Sequence, residues 1–150
     1  TLTYPYSGWI ATSPLEVIAL NRQMGQHTLA LLDLDPTGAG TGQQKPMAPA
    51  DATISMESMI EKVEENIEEM STDNDLARLK KQSLEEFIAL DSCDLPVILC
   101  SDMGTSQQKM IYTNLAELSE LQGGRMNCLV FPASTSDVEE KALLRWLKEE

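Results

Sequence analysis

The residues best placed to do chemistry form a polar turn that follows a short apolar run. Leu95–Cys100 (LPVILC) has the continuous apolar composition of a fully buried strand, and Ser101–Gly104 (SDMG) follows it directly. In open α/β sheets, ligands bind beyond the carboxyl ends of the strands. The pattern therefore places a candidate binding site at this turn.

Other residues that could carry chemistry each have a simpler structural interpretation. His27 is the only histidine of the chain, and at a strand start a histidine is more often a hydrogen-bonding residue than a base. Glu85 and Glu86 are adjacent, so on a helix they point in different directions and do not form an acid–base pair. We therefore name no catalytic residue.

The three cysteines, Cys93, Cys100 and Cys128, lack the spacing of a metal site. Cys100 and Cys128 lie in apolar runs, where a thiol packs as a small hydrophobic side chain. The odd number argues against a disulfide framework, as expected for a reducing compartment. The sequence therefore predicts no metal ligand.

The segment Asp35–Asp51 (DPTGAGTGQQKPMAPAD) is rich in glycine and proline and has almost no apolar anchors. This composition predicts a flexible surface loop over residues 35–51. A nucleotide-binding loop is the alternative. It is disfavoured because GAGTG lacks the Lys-Ser/Thr ending, and no helix follows at once to bind a phosphate.

Composition excludes several classes of function. The chain has 150 residues, of which 42% are hydrophobic, enough for one domain or one lobe with a real core. Its net charge of −13 repels phosphate backbones and anionic lipids, so we expect neither nucleic-acid nor membrane binding. The acidic residues concentrate in Glu57–Asp94, which we interpret as a solvated helix face. A salt-adapted surface or a docking face for a basic partner are the alternatives.

The start of the chain is not typical of a complete protein. It begins at Thr1 and shows no leader and no long apolar span, so we expect a soluble cytosolic protein cut out of a longer one. A first helix follows, with Ser13 predicted as its cap, Pro14 in its first turn and Glu16 closing a capping box. Gly25 ends this helix, and His27–Leu34 is predicted as a buried strand.

The rest of the chain continues the alternation of helices and strands. A second helix is predicted to begin at Ser55, and a third spans about residues 75–90. Lys109–Thr113 and Asn127–Phe131 are predicted strands, separated by a short helix that ends at Gly123. The second helix carries an apolar stripe of Met56, Met59, Ile60, Val63, Ile67 and Met70, and the third is predicted to direct Leu76, Leu79, Leu84, Phe87 and Ile88 inward.

A second capping box, Ser136–Glu139, opens a final helix. Its predicted inner side consists of Val138, Ala142, Leu143, Trp146 and Leu147. Because strands alternate with helices, the sequence predicts an α/β layered fold in which helices flank a mixed sheet.

Four segments, in order, resemble the diphthine synthase family, which belongs to the tetrapyrrole-methylase-like class of methyltransferases. Trp9–Pro14 resembles its helix entry "W-x-P-T-S", and Gly25–Leu34 (GQHTLALLDL) resembles "G-L-H-T-L-x-L-L-D-I". Gly104–Leu118 resembles "G-S-x-D-Q-x-I-x-x-G-T-L-x-E-L", and Asn127–Pro132 (NCLVFP) resembles "H-S-L-V-I-P". The resemblance covers nearly all of the chain except the glycine-rich loop, and it corresponds to the C-terminal half of the family.

This resemblance implies a C-terminal lobe whose N-terminal domain is absent and would be its partner. It implies S-adenosylmethionine (S-adenosyl-L-methionine) as cofactor and translation elongation factor 2 as protein substrate. The reaction implied is methylation of a modified histidine in diphthamide biosynthesis. The family is cytoplasmic and forms homodimers, which allows a dimer of this chain. We expect the lobe alone to be inactive, since it holds only part of the cofactor cleft.

The family's cofactor contacts carry over to Leu32, Met103 and Asn127. The chain departs from the family where an arginine is replaced by Asp102, where a histidine is replaced by Asn127, and in Pro132–Ser136, which lacks a glycine and a second histidine. These departures favour an alternative, a divergent non-enzymatic acidic protein-interaction module with the same fold. A methylase of the same class with another substrate is a third hypothesis.

Overall fold

The structure, a computed structural model, describes residues 1–148. Its core is a four-stranded sheet in the order β1-β4-β2-β3, with every neighbouring pair of strands antiparallel. The strands are β1 (Thr28–Leu31), β2 (Pro96–Ser101), β3 (Lys109–Asn114) and β4 (Asn127–Phe131). The helices are α1 (Ser13–Gln23), α2 (Pro49–Asn66), α3 (Asp75–Ile88), α4 (Leu115–Leu118) and α5 (Asp137–Leu143).

Helices cover both faces of the sheet, which confirms the predicted layered α/β class. The larger hydrophobic cluster joins one face, through Val97, Leu99 and Leu129, to the helices α1–α4. A smaller cluster on the other face contains Ile98 and Cys100 with Leu143 of α5. Parallel pairing occurs in isolated bridges, Leu2 with Leu32 and Tyr112 with Leu147, so the sheet is mixed only at its margins.

The central strand β2 is buried along almost its whole length, as its apolar run predicts. The edge strand β1 differs from the prediction of a fully buried strand. Its burial alternates, and Leu29 and Leu31 are 61% and 55% exposed. The reason is that β1 pairs only with β4 and packs against helices on one face, so every second side chain faces away from the core.

The ends of α1 agree with the sequence only in part. The helix begins at Ser13 itself, after Thr12 in helical geometry, and no side chain caps it. The predicted capping box is therefore wrong, because a residue inside the helix cannot also act as its cap. Gly25 does end the helix, at φ +73°, with its N–H donating to the Arg22 carbonyl and the Gln26 N–H to the Asn21 carbonyl.

The helix α2 begins at Pro49, six residues before the predicted start at Ser55. The earlier start follows from Pro49 in the first turn and from Asp51, whose carboxylate accepts the Ala48 N–H at 3.0 Å. The predicted apolar stripe is correct, since its members are buried apart from the partly buried Met70.

The helix α3 buries only its second half. Leu84 and Phe87 are buried and Ile88 packs against the core, as predicted, but Leu76 and Leu79 are exposed. The prediction for these two leucines is wrong because Ser83, not the first turn, contacts α1: its hydroxyl donates to the Gln23 side-chain oxygen.

The glycine-rich segment has anchors that its composition does not suggest. Asp35 is buried, and its carboxylate accepts the Thr41 hydroxyl at 2.6 Å and the Thr41 N–H at 3.0 Å. Met47 is also buried, and its N–H donates to the Asp33 carbonyl at 2.8 Å. The expectation of few anchors is therefore wrong, whereas the flexibility of the loop stays a prediction.

The predicted capping box of α5 is confirmed. The Ser136 hydroxyl accepts the Glu139 N–H at 3.4 Å, and Glu139 accepts the Ser136 N–H at 2.7 Å. The inner side is narrower than predicted, because the helix packs through its last turn, where Leu143 is buried and Trp146 follows. Val138 is 77% exposed and Leu147 is half-exposed, so those two assignments are wrong.

Candidate binding edge of the sheet

Strand register brings the three predicted site residues to one edge of the sheet. Ser101, the last residue of β2, lies opposite Asn127, the first residue of β4. Leu31, the last residue of β1, pairs with Cys128, the second residue of β4, and Leu32 follows just beyond the end of β1. Met103 follows Ser101 by two residues. We call this region, Leu32, Ser101–Gly104 and Gly123–Asn127, the binding edge.

The side chain of Asn127 organises this edge. Its Oδ1 atom accepts the Ser101 hydroxyl and the Gly124 N–H, both at 2.8 Å, and its Nδ2 donates to the Gly124 carbonyl at 3.0 Å. The amide therefore holds the segment before β4 against the end of β2.

Asp102 reinforces the same connection from the turn. Its N–H donates to the Met126 carbonyl at 2.8 Å, and its carboxylate accepts the Met126 N–H at 2.9 Å. Asp102 has φ +48°, an unusual backbone conformation for a residue with a side chain. Gly124 lies so close that a Cβ there would overlap the Asp102 carboxylate.

The edge exposes a mixture of apolar and backbone groups. Met103 is half-exposed, and Gly104, at φ +82°, has open space where a side chain would stand. Leu32 is buried in the main core, so it supports the edge from beneath. None of the three predicted residues lines any of the five cavities described for residues 1–148.

Ser101 belongs to the turn at which the sequence predicted a site, whereas sequence reasoning missed two contributors to this edge, Gly123 and Gly124. The glycine pair was interpreted only as a helix stop. A Cβ on Gly123 would come within 2.8 Å of the Asn127 oxygen, so both glycines are needed for close approach of the chain. Two adjacent glycines a short distance before a strand are the signal that could have indicated this.

His27 has the structural role that was predicted for it. Its Nδ1 accepts the Ala133 N–H at 2.9 Å, and its Nε2 lies 3.1 Å from Glu139 Oε1. Hydrogen bonds from the Ser136 N–H and hydroxyl, and then from His27, lower the pKa of Glu139 to about 2. His27 precedes β1, whereas Leu32 follows it, so the histidine lies at the opposite end of the strand from the binding edge.

A separate cavity of about 110 Å³ lies between the start of the chain and α2. Trp9 and Ile54 are exposed at it, and the Lys62 ammonium sits 5.8 Å from the centre of the indole ring. In its wall, the Tyr4 hydroxyl donates to Asp51 at 3.0 Å. Burial and the neighbouring Asp51 carboxylate raise the pKa of Tyr4 above its ordinary value. The sequence did not predict this cavity.

Two absences hold within the described part of the chain. No helix in residues 1–148 has both the length and the apolar composition needed to cross a bilayer. Over the same residues, no group of three His, Cys, Asp or Glu side chains is arranged to hold a metal ion.

Comparison with known proteins supports the resemblance noted in the sequence. No protein-family model matches the chain. The diphthine synthase of Methanococcus aeolicus is 25% identical over 144 residues, which is 95% of this chain and 45% of the relative. The chain resembles a diphthine synthase. It spans about half the length of the relatives that it matches.

Solved structures agree with this fold. A protein from Entamoeba histolytica, provisionally described as a diphthine synthase, superposes with a TM-score of 0.70 at 20% identity, covering 99% of this chain and 49% of that one. A second diphthine synthase structure gives a TM-score of 0.65 at 18% identity, over 97% and 43% of the two chains. A conserved hypothetical protein from Aeropyrum pernix also gives 0.65, at 24% identity over 95% and 42%. At these identities the structures establish the fold.

Proposed function

We propose that this chain is the C-terminal lobe of a diphthine-synthase-like methyltransferase and supplies one wall of an S-adenosylmethionine cleft. The observation that carries the proposal is the register that pairs Ser101 with Asn127 and Leu31 with Cys128, with Leu32 and Met103 following those strand ends. The carboxyl ends of β1 and β2 therefore lie at one end of the sheet, beside the start of β4.

Each residue of the edge has a distinct part in the proposed cleft. Met103 offers an exposed, polarizable side chain against which an adenosyl group packs. Leu32 fixes the end of β1 in the core, and Asn127 sets the position of the backbone at residue 124. Asp102 adds negative charge to the edge, which favours a cationic ligand.

The residues fit such a cofactor as one wall rather than as a closed site. The open space beside Gly104 allows a ligand to approach the backbone closely. Sites for small molecules normally enclose most of the ligand, and one wall cannot do so. When bound, the cofactor would supply an electrophilic methyl group on a sulfonium. The chain's own residues would position it, since in-line transfer depends on orientation more than on acid–base groups.

The proposal extends to the setting of the whole protein. It includes an N-terminal domain as the missing wall, translation elongation factor 2 as the methyl acceptor, a cytoplasmic location and pairing into a homodimer. The support for these parts is the likeness to half of a diphthine synthase.

Titration of the 150-residue chain with S-adenosylhomocysteine tests the proposal. We expect no methyltransferase activity and only millimolar affinity, about −4 kcal/mol, because one wall buries little of the ligand. Methyl-detected NMR should then show shifts at Met103 and Leu32, while the methyl groups of the buried Leu118 stay unchanged. Micromolar or tighter binding by calorimetry would contradict the incomplete cleft.

The same titration distinguishes the second candidate, a non-enzymatic acidic interaction module. The observation that favours it is the cavity beside the exposed Trp9, which lies apart from the binding edge and next to the acidic surface of α2. If millimolar S-adenosylhomocysteine leaves Met103 and Leu32 unshifted, the module is the better description.

A further inference from the structure

Three sulfur-containing side chains form a row across the sheet. Cys100 on β2 lies directly opposite Cys128 on β4 and directly opposite Met110 on β3. Residues that face each other on antiparallel strands direct their side chains to the same face. The row Cys128, Cys100 and Met110 therefore shares the face that α5 partly covers; we call it the sulfur row.

The hydrogen-bond pattern defines the spacing within the row. Asp102 donates its N–H to the Met126 carbonyl, so these two residues form a hydrogen-bonded pair. Such pairs recur at every second residue of antiparallel strands, so Cys100 and Cys128 also form a hydrogen-bonded pair, with Cα atoms about 5.5 Å apart. On the other side, Leu115 donates its N–H to Leu95. Because hydrogen-bonded and non-hydrogen-bonded pairs alternate along two antiparallel strands, Cys100 and Met110 form a non-hydrogen-bonded pair, with Cα atoms about 4.5 Å apart.

The surroundings of the row suit a soft ligand. Cys100 is buried beside Ile98 and Leu143, whereas Cys128 and Met110 are only partly buried and leave a path from solvent. Burial and the neighbouring Cys128 thiol raise the pKa of Cys100 to about 11. The two thiols are therefore close enough to interact.

We propose that the sulfur row is a binding site for a soft monovalent cation, Cu(I), with two thiolates and one thioether as ligands. Thiolate and thioether sulfur select Cu(I) over hard cations, which prefer oxygen. Binding releases one proton from each of Cys100 and Cys128 as two Cu–S bonds form. Met110 completes a three-coordinate site without a change of charge, and no electron is transferred.

This site does not depend on the proposed methyltransferase function. It also explains why the sequence predicted no metal. Cys100 and Cys128 are distant along the chain, and Met110 is not counted among the usual ligands, so only the register of three strands brings them together.

Anaerobic titration with Cu(I), added as its acetonitrile complex and competed with the chelator bicinchoninate, tests the site. The background variant Cys93→Ser removes the exposed thiol that lies outside the row. We expect one Cu(I) per chain in this background and loss of that equivalent in Cys128→Ser. Met110→Leu keeps the shape of the side chain but removes the sulfur, so the affinity should fall at least about tenfold.

Met24→Leu is the matched control, because Met24 is an exposed methionine that follows α1 and lies outside the sheet. It should bind Cu(I) as tightly as the background. If Cys100→Ser fails to fold by circular dichroism, the partly buried positions 110 and 128 decide the result. The proposal is overturned if the background binds no Cu(I), or if Cys128→Ser and Met110→Leu both bind as tightly as Met24→Leu.

Discussion

Single side chains order much of the irregular structure in this molecule. The buried Asp35 accepts hydrogen bonds from the Thr41 hydroxyl and from two backbone N–H groups of its own loop. These bonds, that of Thr41 first, lower the pKa of Asp35. The carboxylate takes the place of an apolar anchor, which is why composition alone suggested an unanchored loop.

The hydrogen bonds of Glu139 predict a dependence of stability on pH. Its folded pKa of about 2 lies below the ordinary 4.5, so the ionised group stabilises the fold above pH 4.5, and that stabilisation is lost as the pH falls toward 2. Glu139→Gln keeps a carbonyl for the Ser136 N–H but removes the charge. The midpoint of urea unfolding of the variant should therefore lie below that of the parent at pH 7, and the two midpoints should approach each other by pH 2.5.

Glu65→Gln, a change on the exposed side of α2, provides the control for this experiment. A difference between Glu139→Gln and the parent that stays constant from pH 7 to pH 2.5 would contradict the assigned role of the charge.

At the scale of elements, local pattern predicted some helix ends and failed at others. Ser13 and Ser136 both begin a Ser-x-x-Glu pattern, yet only Ser136 caps a helix. The difference lies in the preceding residue: Thr12 already has helical geometry, so Ser13 lies inside the helix. Sequence spacing cannot reveal this, because the same Ser-x-x-Glu pattern is compatible with either backbone conformation of the preceding residue.

The turn at Gly25 predicts a stability effect that belongs to α1. Gly25→Ala forces a Cβ into the left-handed region at φ +73°, which should cost about 1–2 kcal/mol in the free energy of unfolding. Gly25→Asn should cost less, because asparagine tolerates this conformation. Denaturant unfolding of both variants measures the difference, and equal costs would show that crowding by Ser134 dominates instead.

In the whole molecule, the sheet has a strand, β2, that is buried along almost its whole length, and an edge strand, β1, in which every second side chain is exposed. Leu99 lies in the centre of β2 and is buried, whereas Leu29 on β1 is largely exposed. Both are leucines in apolar runs, and the sequence predicted both as buried. What separates them is the strand order, which leaves β1 at the edge.

Matched leucine substitutions measure this asymmetry. Leu99→Ala should lower the free energy of unfolding by about 2–5 kcal/mol, since it opens a cavity in the main core. Leu29→Ala should change it by no more than about 0.5 kcal/mol, as is usual for surface positions. Chemical denaturation of the two variants tests this, and similar losses would mean that another surface covers β1 in solution.

The class of the fold and the positions of β2 and β4 could be predicted because strands inside a sheet carry continuous apolar runs, whereas β3 is a partly exposed edge strand. Leu32, Met103 and Asn127 were named as cofactor contacts from a resemblance, and that role stays a prediction; the register pairs Asn127 with Ser101 at the end of β2. The hydrogen bond between Ser101 and Asn127 and the close approach of Gly124 to Asp102 depend on contacts between segments that are distant along the chain, which residue spacing alone does not reveal.

The pairing of Thr28 with Phe131 joins the first strand to the last. During synthesis on the ribosome, β1 must therefore wait for about two thirds of the chain before its hydrogen-bonding partner exists. Pairing of such remote segments slows folding and leaves strand edges open to other chains. Newly made chains should consequently expose the unpaired side of β1 to chaperones until β4 has emerged.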